Sequence, residues 1–142
     1  MNREILFRGK SIDTDEWLYG HLFNYGLTAP TNVPCISVCV PTSWEEACNL
    51  YAVHPDTIGQ YTGLKDKKGT KIFEGDILEY IGKRKDNVNK VYRRKVVFHE
   101  GMFALLSKEL QAYSALNYHG MKDGRSAWRV IGNIHDNPEL IE

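Results

Sequence analysis

The sequence predicts a mainly β protein, a small antiparallel barrel or sandwich with one or two short accessory helices. Apolar and polar residues alternate over short runs, which is the pattern of a strand that buries one face. Clusters of Gly, Asp, Asn and Pro separate these runs about every ten residues, the spacing of antiparallel strands joined by turns. With 142 residues, 42% of them hydrophobic, the chain is long enough to bury a core, and we expect a single domain over residues 1–142.

The first third of the chain contains a predicted hairpin, a third strand and a helix. Alternation in "EILFRG" and "EWLYGHLF" predicts strands at residues 4–8 and 16–23, joined by turn formers as a hairpin. The β-branched run at residues 35–40 predicts another strand. In "TSWEEACNL", Ser43 and Glu46 have the spacing of a capping box, which predicts a short helix that extends through Tyr51.

The stretch "QYTGLKDKKGTKIFEGDILEY", residues 60–80, predicts three strands separated by two turns that contain Gly69 and Gly75. A phosphate-binding loop would need glycines that lead into a helix N-terminus with a Lys-Ser or Lys-Thr pair. Gly69 leads instead into β-favouring residues. We therefore interpret these glycines as turn residues of the fold.

The remaining elements are predicted from the same signals. Residues 95–106 predict a hairpin with Glu100-Gly101 at its turn, and residues 127–134 predict a strand. Leu106, Leu110 and Tyr113 have helical spacing, which predicts a second short helix over residues 107–120. In "DNPEL", Asn137 is a predicted cap and Pro138 the first residue of a helical turn.

Composition and charge exclude several classes of protein. The 18 basic and 18 acidic residues cancel, so no whole-protein attraction to nucleic acid or to an anionic membrane is expected. The charges in "MNREILFRGK" leave no room for the apolar core of a signal peptide, and no apolar run is long enough to span a membrane. Three cysteines make a secreted disulfide framework unexpected. We expect a cytoplasmic protein with reduced thiols and no membrane contact.

Four segments carry a resemblance to a known family. They are "REILFRGK" with "EWLYG", "DTIGQYTGLKDKKGTKIFEGDILEY", "KVVFHEGMFAL" and "VIGNIHDNPEL". With them the chain resembles the YopX family, small proteins of bacteriophages and integrated prophages. The resemblance implies a mostly β fold and a phage or prophage origin in a bacterial host, and it brings no reaction, cofactor or catalytic residue. The motif residues that we interpret as structural turn positions are Gly63, Gly69, Gly75, Asp76, Gly132, Asn133, Asn137 and Pro138.

Cysteine and histidine could together form a zinc site of the Cys₃His type, with Cys35, Cys39, Cys48 and His54 as ligands. In a strand, however, Cys35 and Cys39 would be roughly 13 Å apart, too far for two ligands of one ion. We therefore interpret the cysteines as buried apolar residues and expect no metal and no cofactor.

Catalytic groups are sparse. The five histidines fall in different predicted elements; they are His21, His54, His99, His119 and His135. Glu74 and Asp76 flank a turn glycine and could act as a carboxylate pair. An aspartate in that position more often accepts hydrogen bonds from the backbone and fixes the turn. No serine lies in a nucleophile elbow, and we expect no enzymatic activity.

Residues 83–95 break the charge balance of the chain. The segment holds seven Lys or Arg residues against one acid, Asp86, with a tyrosine among them. Its charges could follow a phosphate backbone while the ring stacks on a base. Charge runs are more often solvated loops. The residues of this predicted nucleic-acid interface are Lys83, Arg84, Lys85, Lys90, Tyr92, Arg93, Arg94 and Lys95.

Three functions remain open. The leading hypothesis is a non-enzymatic phage or prophage accessory protein that binds a host or phage protein and forms a homo-oligomer. The alternative is a nucleic-acid-binding small barrel that uses residues 83–95, with Tyr92 and Arg94 on one strand face and Arg93 and Lys95 on the other. The second alternative is an enzyme of unknown class, with Glu74, Asp76 and a histidine in one cleft.

Overall fold

The structure is a computed structural model that describes residues 3–25, 33–38, 50–116 and 125–141. It confirms a mainly β antiparallel fold. Eleven strands are β1 Phe7–Lys10, β2 Trp17–Tyr25, β3 Val33–Ser37, β4 Leu50–Ala52, β5 Gly59–Lys65, β6 Lys71–Phe73, β7 Asp76–Ile81, β8 Val91–His99, β9 Met102–Ser107, β10 Ala112–Ala115 and β11 Arg129–Asn133. Short 3₁₀ helices span Pro55–Thr57 and Pro138–Ile141, and the second is called the Pro138 helix below.

The strands form two antiparallel sheets, ordered β4-β3-β2-β1-β5-β6 and β10-β9-β8-β7-β11. Each sheet ends in edge strands, so within the part of the chain that the structure describes neither closes into a barrel. By its backbone contacts the chain divides into two compact units, Met1–Tyr61 and Thr62–Glu142. Strand β5 crosses the boundary between them.

The first unit contains β1–β4 and the start of β5. The predicted hairpin of residues 4–8 and 16–23 is confirmed, because β1 pairs with β2 from Phe7↔Gly20 to Lys10↔Trp17. The helix predicted from Ser43 through Tyr51 lies mostly outside the described residues, but its predicted C-terminal end is wrong. Tyr51 belongs to β4 and pairs with Ile36 of β3, because ladder hydrogen bonds to an existing strand replace the local helical pattern.

The second unit is built on the five-stranded sheet and the β5–β6 hairpin. Its core side chains are apolar and almost fully buried; they are Ile72, Leu78, Val96, Leu105, Leu116 and Trp128. Leu78, Val96 and Leu105 lie side by side on one sheet face, because β7 pairs with β8 and β8 with β9 in that register. The core thus lies against the face that also carries Tyr80 and Tyr92.

Two turns connect β8, β9 and β10. The predicted turn at Glu100-Gly101 is confirmed, with φ of 49° and 81°. The predicted helix over residues 107–120 is wrong up to residue 116, where the description stops. Ser107 ends β9, its Oγ accepts the Leu110 N–H at 3.2 Å, and the chain returns as β10. Leu110 is 71% exposed, so its helical spacing does not reflect a buried helical face.

No helix among residues 3–25, 33–38, 50–116 and 125–141 has the length and apolar character needed to cross a membrane.

Candidate nucleic-acid interface

Three of the family-motif glycines have the left-handed backbone conformation that favours glycine. Gly63, Gly69 and Gly75 have φ of 86°, 89° and 90°. Gly69 and Gly75 lie in the turns on either side of β6, whereas Gly63 lies inside β5. The interpretation of Gly63 as a turn residue is therefore corrected: it interrupts the regular strand backbone.

Two buried aspartates organise these turns. Asp76, 2% exposed, accepts the Phe73 N–H on Oδ2 at 2.8 Å across the Glu74-Gly75 turn. Asp66, 1% exposed, accepts the N–H groups of Lys68 and Thr70 on Oδ1, both at 2.8 Å. Its Oδ2 accepts the Val130 N–H at 3.0 Å. One carboxylate therefore holds the hairpin turn and the entry to β11 together.

A second set of turn contacts follows β11. The Asn133 Oδ1 accepts the N–H groups of His135 at 3.0 Å and Asp136 at 2.9 Å. Asn137 accepts the Asn133 N–H through its Oδ1 at 3.3 Å, so its side chain is directed back toward β11 rather than into the helical turn. A Cβ on Gly132 would clash with that oxygen unless the Asn137 side chain shifted. Pro138 begins the 3₁₀ helix at the predicted place.

Two of the four candidate zinc ligands, Cys35 and His54, lie among the described residues. Cys35 is buried, and burial raises the pKa of its thiol; Cys39 and Cys48 lie outside the described residues. Across the described part of the chain, no three His, Cys, Asp or Glu side chains are placed to hold a metal ion.

Two of the histidines contact other side chains, and His119 lies outside the described residues. His54 lies 3.2 Å from the Asp15 carboxylate, while His99 stacks on Tyr113 with ring centroids 3.7 Å apart. Because the Asp76 carboxylate is buried in its turn, it is poorly placed to act on a substrate together with Glu74.

The basic segment begins in the loop between β7 and β8. Gly82 donates to the Lys90 carbonyl at 2.8 Å, and Asn89 donates to the Gly82 carbonyl at 3.0 Å. Asn87 Oδ1 accepts the Arg84 N–H at 2.9 Å. These hydrogen bonds fix the backbone of the loop. The side chains of three consecutive cations in it, Lys83, Arg84 and Lys85, are exposed to solvent. We call these three residues the basic loop.

Strand β8 separates the remaining cations onto two faces, because successive side chains of a strand point in opposite directions. Arg93 donates from Nε to Glu79 Oε2 at 3.2 Å, and Arg129 donates to Glu79 Oε1 at 3.0 Å. Arg93 also donates to the Leu140 carbonyl at 3.4 Å. Arg93 therefore joins strands and the Pro138 helix, and Lys95 lies on the same face as Arg93.

Tyr92 and Arg94 lie on the other face. The Lys90 ammonium is 5.0 Å and the Arg94 guanidinium 5.6 Å from the centroid of the Tyr92 ring, within cation–π range. The Tyr80 ring is 6.2 Å from Tyr92 and 5.6 Å from Trp128, which places three rings in sequence across β8, β7 and the start of β11.

A cavity of about 280 Å³ opens beside these rings. Aromatic side chains form much of its wall, and hydroxyl, amide and guanidinium groups supply polar contacts. We call it the Tyr92 cavity. Its wall includes Tyr80, Asn87, Tyr92, Arg94, Ser114 and Trp128. Because Asn87 also fixes the basic loop, the cavity and the loop are adjacent.

Comparison with known proteins identifies the family. A family model described as YopX protein matches residues 6–142. The chain belongs to the YopX family. The resemblance predicted from the four sequence segments is thereby confirmed. Comparison with curated proteins gives no match.

Two solved structures resemble this YopX-family chain along its whole length. The crystal structure of protein EF1440 from Enterococcus faecalis is 27% identical, with a TM-score of 0.58, and the match covers 99% of this chain and 100% of that one. The crystal structure of YopX from Bacillus subtilis is 16% identical, with a TM-score of 0.50, over 99% of this chain and 97% of that one. The latter likeness shows the fold alone.

Sequence reasoning found the cations and Tyr92 but missed the rest of the cavity. Tyr80 pairs directly with Tyr92 in the ladder, and that register cannot be read from either strand alone. The available signal was the pair of tyrosines near facing ends of two predicted strands. Trp128 is buried in the core and also forms part of the cavity wall.

Proposed function

We propose that this YopX-family protein is a cytoplasmic phage or prophage binding module without catalytic turnover, and that its ligand is single-stranded nucleic acid. The observation that carries the proposal is the position of Tyr92, with two cations over its ring and a cavity beside it. The adjacent basic loop adds three exposed positive charges. Aromatic rings beside a line of cations are the usual elements of a single-strand site.

The basic loop and Tyr92 have different roles in this proposal. Lys83, Arg84 and Lys85 contact phosphates, because exposed cations on a fixed loop can each release a condensed counterion. A base that stacks on Tyr92 displaces one cation from the ring, and the displaced cation then contacts the attached phosphate. Asn87 and Ser114 offer hydrogen-bonding groups at the cavity wall.

A single strand fits this site better than a duplex. Stacking on Tyr92 requires a base with an accessible face, and paired bases in a duplex are already stacked. The net charge of the chain is zero, so the attraction is local and the affinity should fall steeply with salt.

The test is a fluorescence-anisotropy titration of labelled oligothymidine, with the unlabelled duplex of the same length as competitor. We expect saturable binding that the duplex competes for poorly. Replacing the basic loop by Lys83→Ala, Arg84→Ala and Lys85→Ala should weaken binding about tenfold or more at low salt. The loop backbone bonds do not use these side chains, so folding should be retained.

The matched control removes three other exposed lysines of the same unit, Lys65→Ala, Lys67→Ala and Lys68→Ala. The net charge change is identical. If both triple variants lose the same affinity, the attraction is a general charge effect and the assignment of the site is wrong.

A second candidate, binding of a host or phage protein or of another copy of this chain, has its own supporting observation. The first unit exposes large apolar side chains, namely Tyr19, Phe23 and Tyr51 on its described strands and Val38 directly after β3. Exposed apolar groups of this kind are common at protein interfaces. The discriminating experiment is a pull-down of tagged protein from host lysate with and without nuclease. Partners retained after nuclease favour this candidate, whereas their loss favours nucleic acid.

A further inference from the structure

A second cavity lies on the opposite face of β8 from Tyr92. It has a volume of about 350 Å³ and is lined by Lys95, Leu106, Lys108, Ile134, Pro138 and Ile141. None of these residues lines the Tyr92 cavity. Its size falls at the lower end of the roughly 300–1,000 Å³ typical of small-molecule sites.

The walls of this cavity are held in place by contacts already described. Arg93 donates to the Leu140 carbonyl at 3.4 Å and so ties the Pro138 helix to β8. Leu140 donates to the Asn137 carbonyl at 3.1 Å, and Asn137 is bonded in turn to Asn133 at the end of β11. Strand β8 and the Pro138 helix therefore form a preformed cavity, in which Leu106, Ile134 and Ile141 are only partly buried.

The lining combines two chemistries. Four of its six residues are apolar, and the other two are lysines; the described lining contains no carboxylate and no aromatic ring. Lysine stems pack along apolar walls while their ammonium groups seek water, which places positive charge at the mouth of an apolar recess. A ligand complementary to this arrangement has an apolar body and one anionic head.

We propose that this cavity binds a free medium-chain fatty acid, with the alkyl chain between Leu106, Ile134 and Ile141 and the carboxylate at Lys95 and Lys108. A nucleotide fits poorly, because the recess offers no ring for stacking. Lys95, which the sequence assigned to the nucleic-acid interface, thereby serves a different site. The two cavities have no lining residue in common, so each proposal is tested by its own variants.

The first experiment uses the unmodified protein and three probes that share one alkyl chain. Isothermal titration with decanoate, decanol and decyltrimethylammonium separates the contribution of the head group. We expect decanoate to saturate at one molecule per chain and to bind at least about tenfold more tightly than the other two. Equal binding of all three probes, or no saturable binding of decanoate, would overturn the proposal.

Variants then locate the site. Lys95→Met and Lys108→Met keep an apolar stem and remove one charge each; each should weaken decanoate binding about two- to fivefold, the range for solvent-exposed ion pairs. Lys68→Met removes an exposed lysine of the Asp66 turn and should leave decanoate affinity unchanged. Ile141→Trp, at the rim of the cavity, should fill the recess and abolish binding. Each variant is checked for an unchanged circular dichroism spectrum.

Two results would place decanoate elsewhere on the chain. Tight binding that survives Ile141→Trp in a folded protein contradicts the assignment. So does an equal loss of affinity in Lys68→Met and Lys95→Met.

Discussion

The turns around β6 and β11 and the basic loop use polar residues in opposite ways. Asp66, Asp76 and Asn133 are buried, and their side-chain oxygens accept hydrogen bonds from backbone N–H groups. We call these three residues the turn scaffold. The basic loop has the reverse arrangement, since backbone bonds hold its shape and its charged side chains are exposed.

This difference shows that the residues that mark the family and the residues proposed to bind the ligand lie in separate regions. The turn scaffold lies in the segments by which the chain resembles the YopX family, and its hydrogen bonds fix the turns of the fold. The basic loop lies outside those segments. A motif that identifies the fold therefore gives no direct information about the ligand, and the two regions should respond differently to substitution.

The largest expected effect is on the turn scaffold. Asp66→Ala leaves three backbone N–H groups without their carboxylate acceptor. Each buried donor that loses its partner costs about 1–3 kcal/mol, so the free energy of unfolding should fall by about 3 kcal/mol or more. Urea denaturation followed by tryptophan fluorescence measures it. Asp86→Ala, in the exposed loop, is the control and should change stability by less than about 0.5 kcal/mol. Equal effects of the two variants would contradict the comparison.

A smaller loss of stability is expected at Gly132. Gly132→Ala places a methyl group 2.4 Å from Asn137 Oδ1 and should cost about 1–3 kcal/mol of overpacking. Asn137→Ala removes the opposing oxygen. The double variant should therefore be more stable than the sum of the two single losses predicts, as a double-mutant cycle in urea would show. Strict additivity would mean that the close approach is not the cause.

Substitution of Tyr92 should weaken oligothymidine binding, and because the ring also packs against the core, each variant is first checked to be folded. Tyr92→Ala removes the stacking ring and should weaken oligothymidine binding by about 1–3 kcal/mol, whereas Tyr92→Phe should retain most of the affinity. Anisotropy titration of both variants gives the values. If the two variants bind equally well, Tyr92 does not stack on a base.

The smallest effect is expected at Arg93, which belongs to the basic segment by sequence but to the scaffold by its contacts. Its side chain is 43% exposed, so Arg93→Met should lower the free energy of unfolding by at most about 1 kcal/mol. Oligothymidine affinity should stay within about twofold, whereas Arg84→Met should reduce it further. A larger affinity loss at Arg93 than at Arg84 would assign Arg93 to the binding surface.

The sequence predicted those features that depend on neighbouring residues. The Glu100-Gly101 turn was predicted because its backbone conformation is a local requirement. The helix predicted over residues 107–120 is wrong through residue 116, because apolar residues at helical spacing also occur across a β hairpin. The Asp66 contact to Val130 joins residues 64 apart, and no local pattern reveals it.

The same limit applies to the candidate site. The cations and Tyr92 lie in one short segment and were predicted together. The ladder then placed Tyr80 opposite Tyr92 and assigned Arg93 to the other face of β8. Only the register of the sheet could place Tyr80 beside Tyr92, whereas strand alternation had already predicted Arg93 and Tyr92 on opposite faces.

The salt dependence of oligothymidine affinity tests the central claim most directly. The unmodified protein and the variant with Lys83→Ala, Arg84→Ala and Lys85→Ala are titrated over a series of salt concentrations. If these residues contact phosphates, the slope of log affinity against log salt should become less negative by about 2, roughly 0.7 for each lost contact. An unchanged slope would show that the basic loop makes no phosphate contacts and would contradict the proposed function.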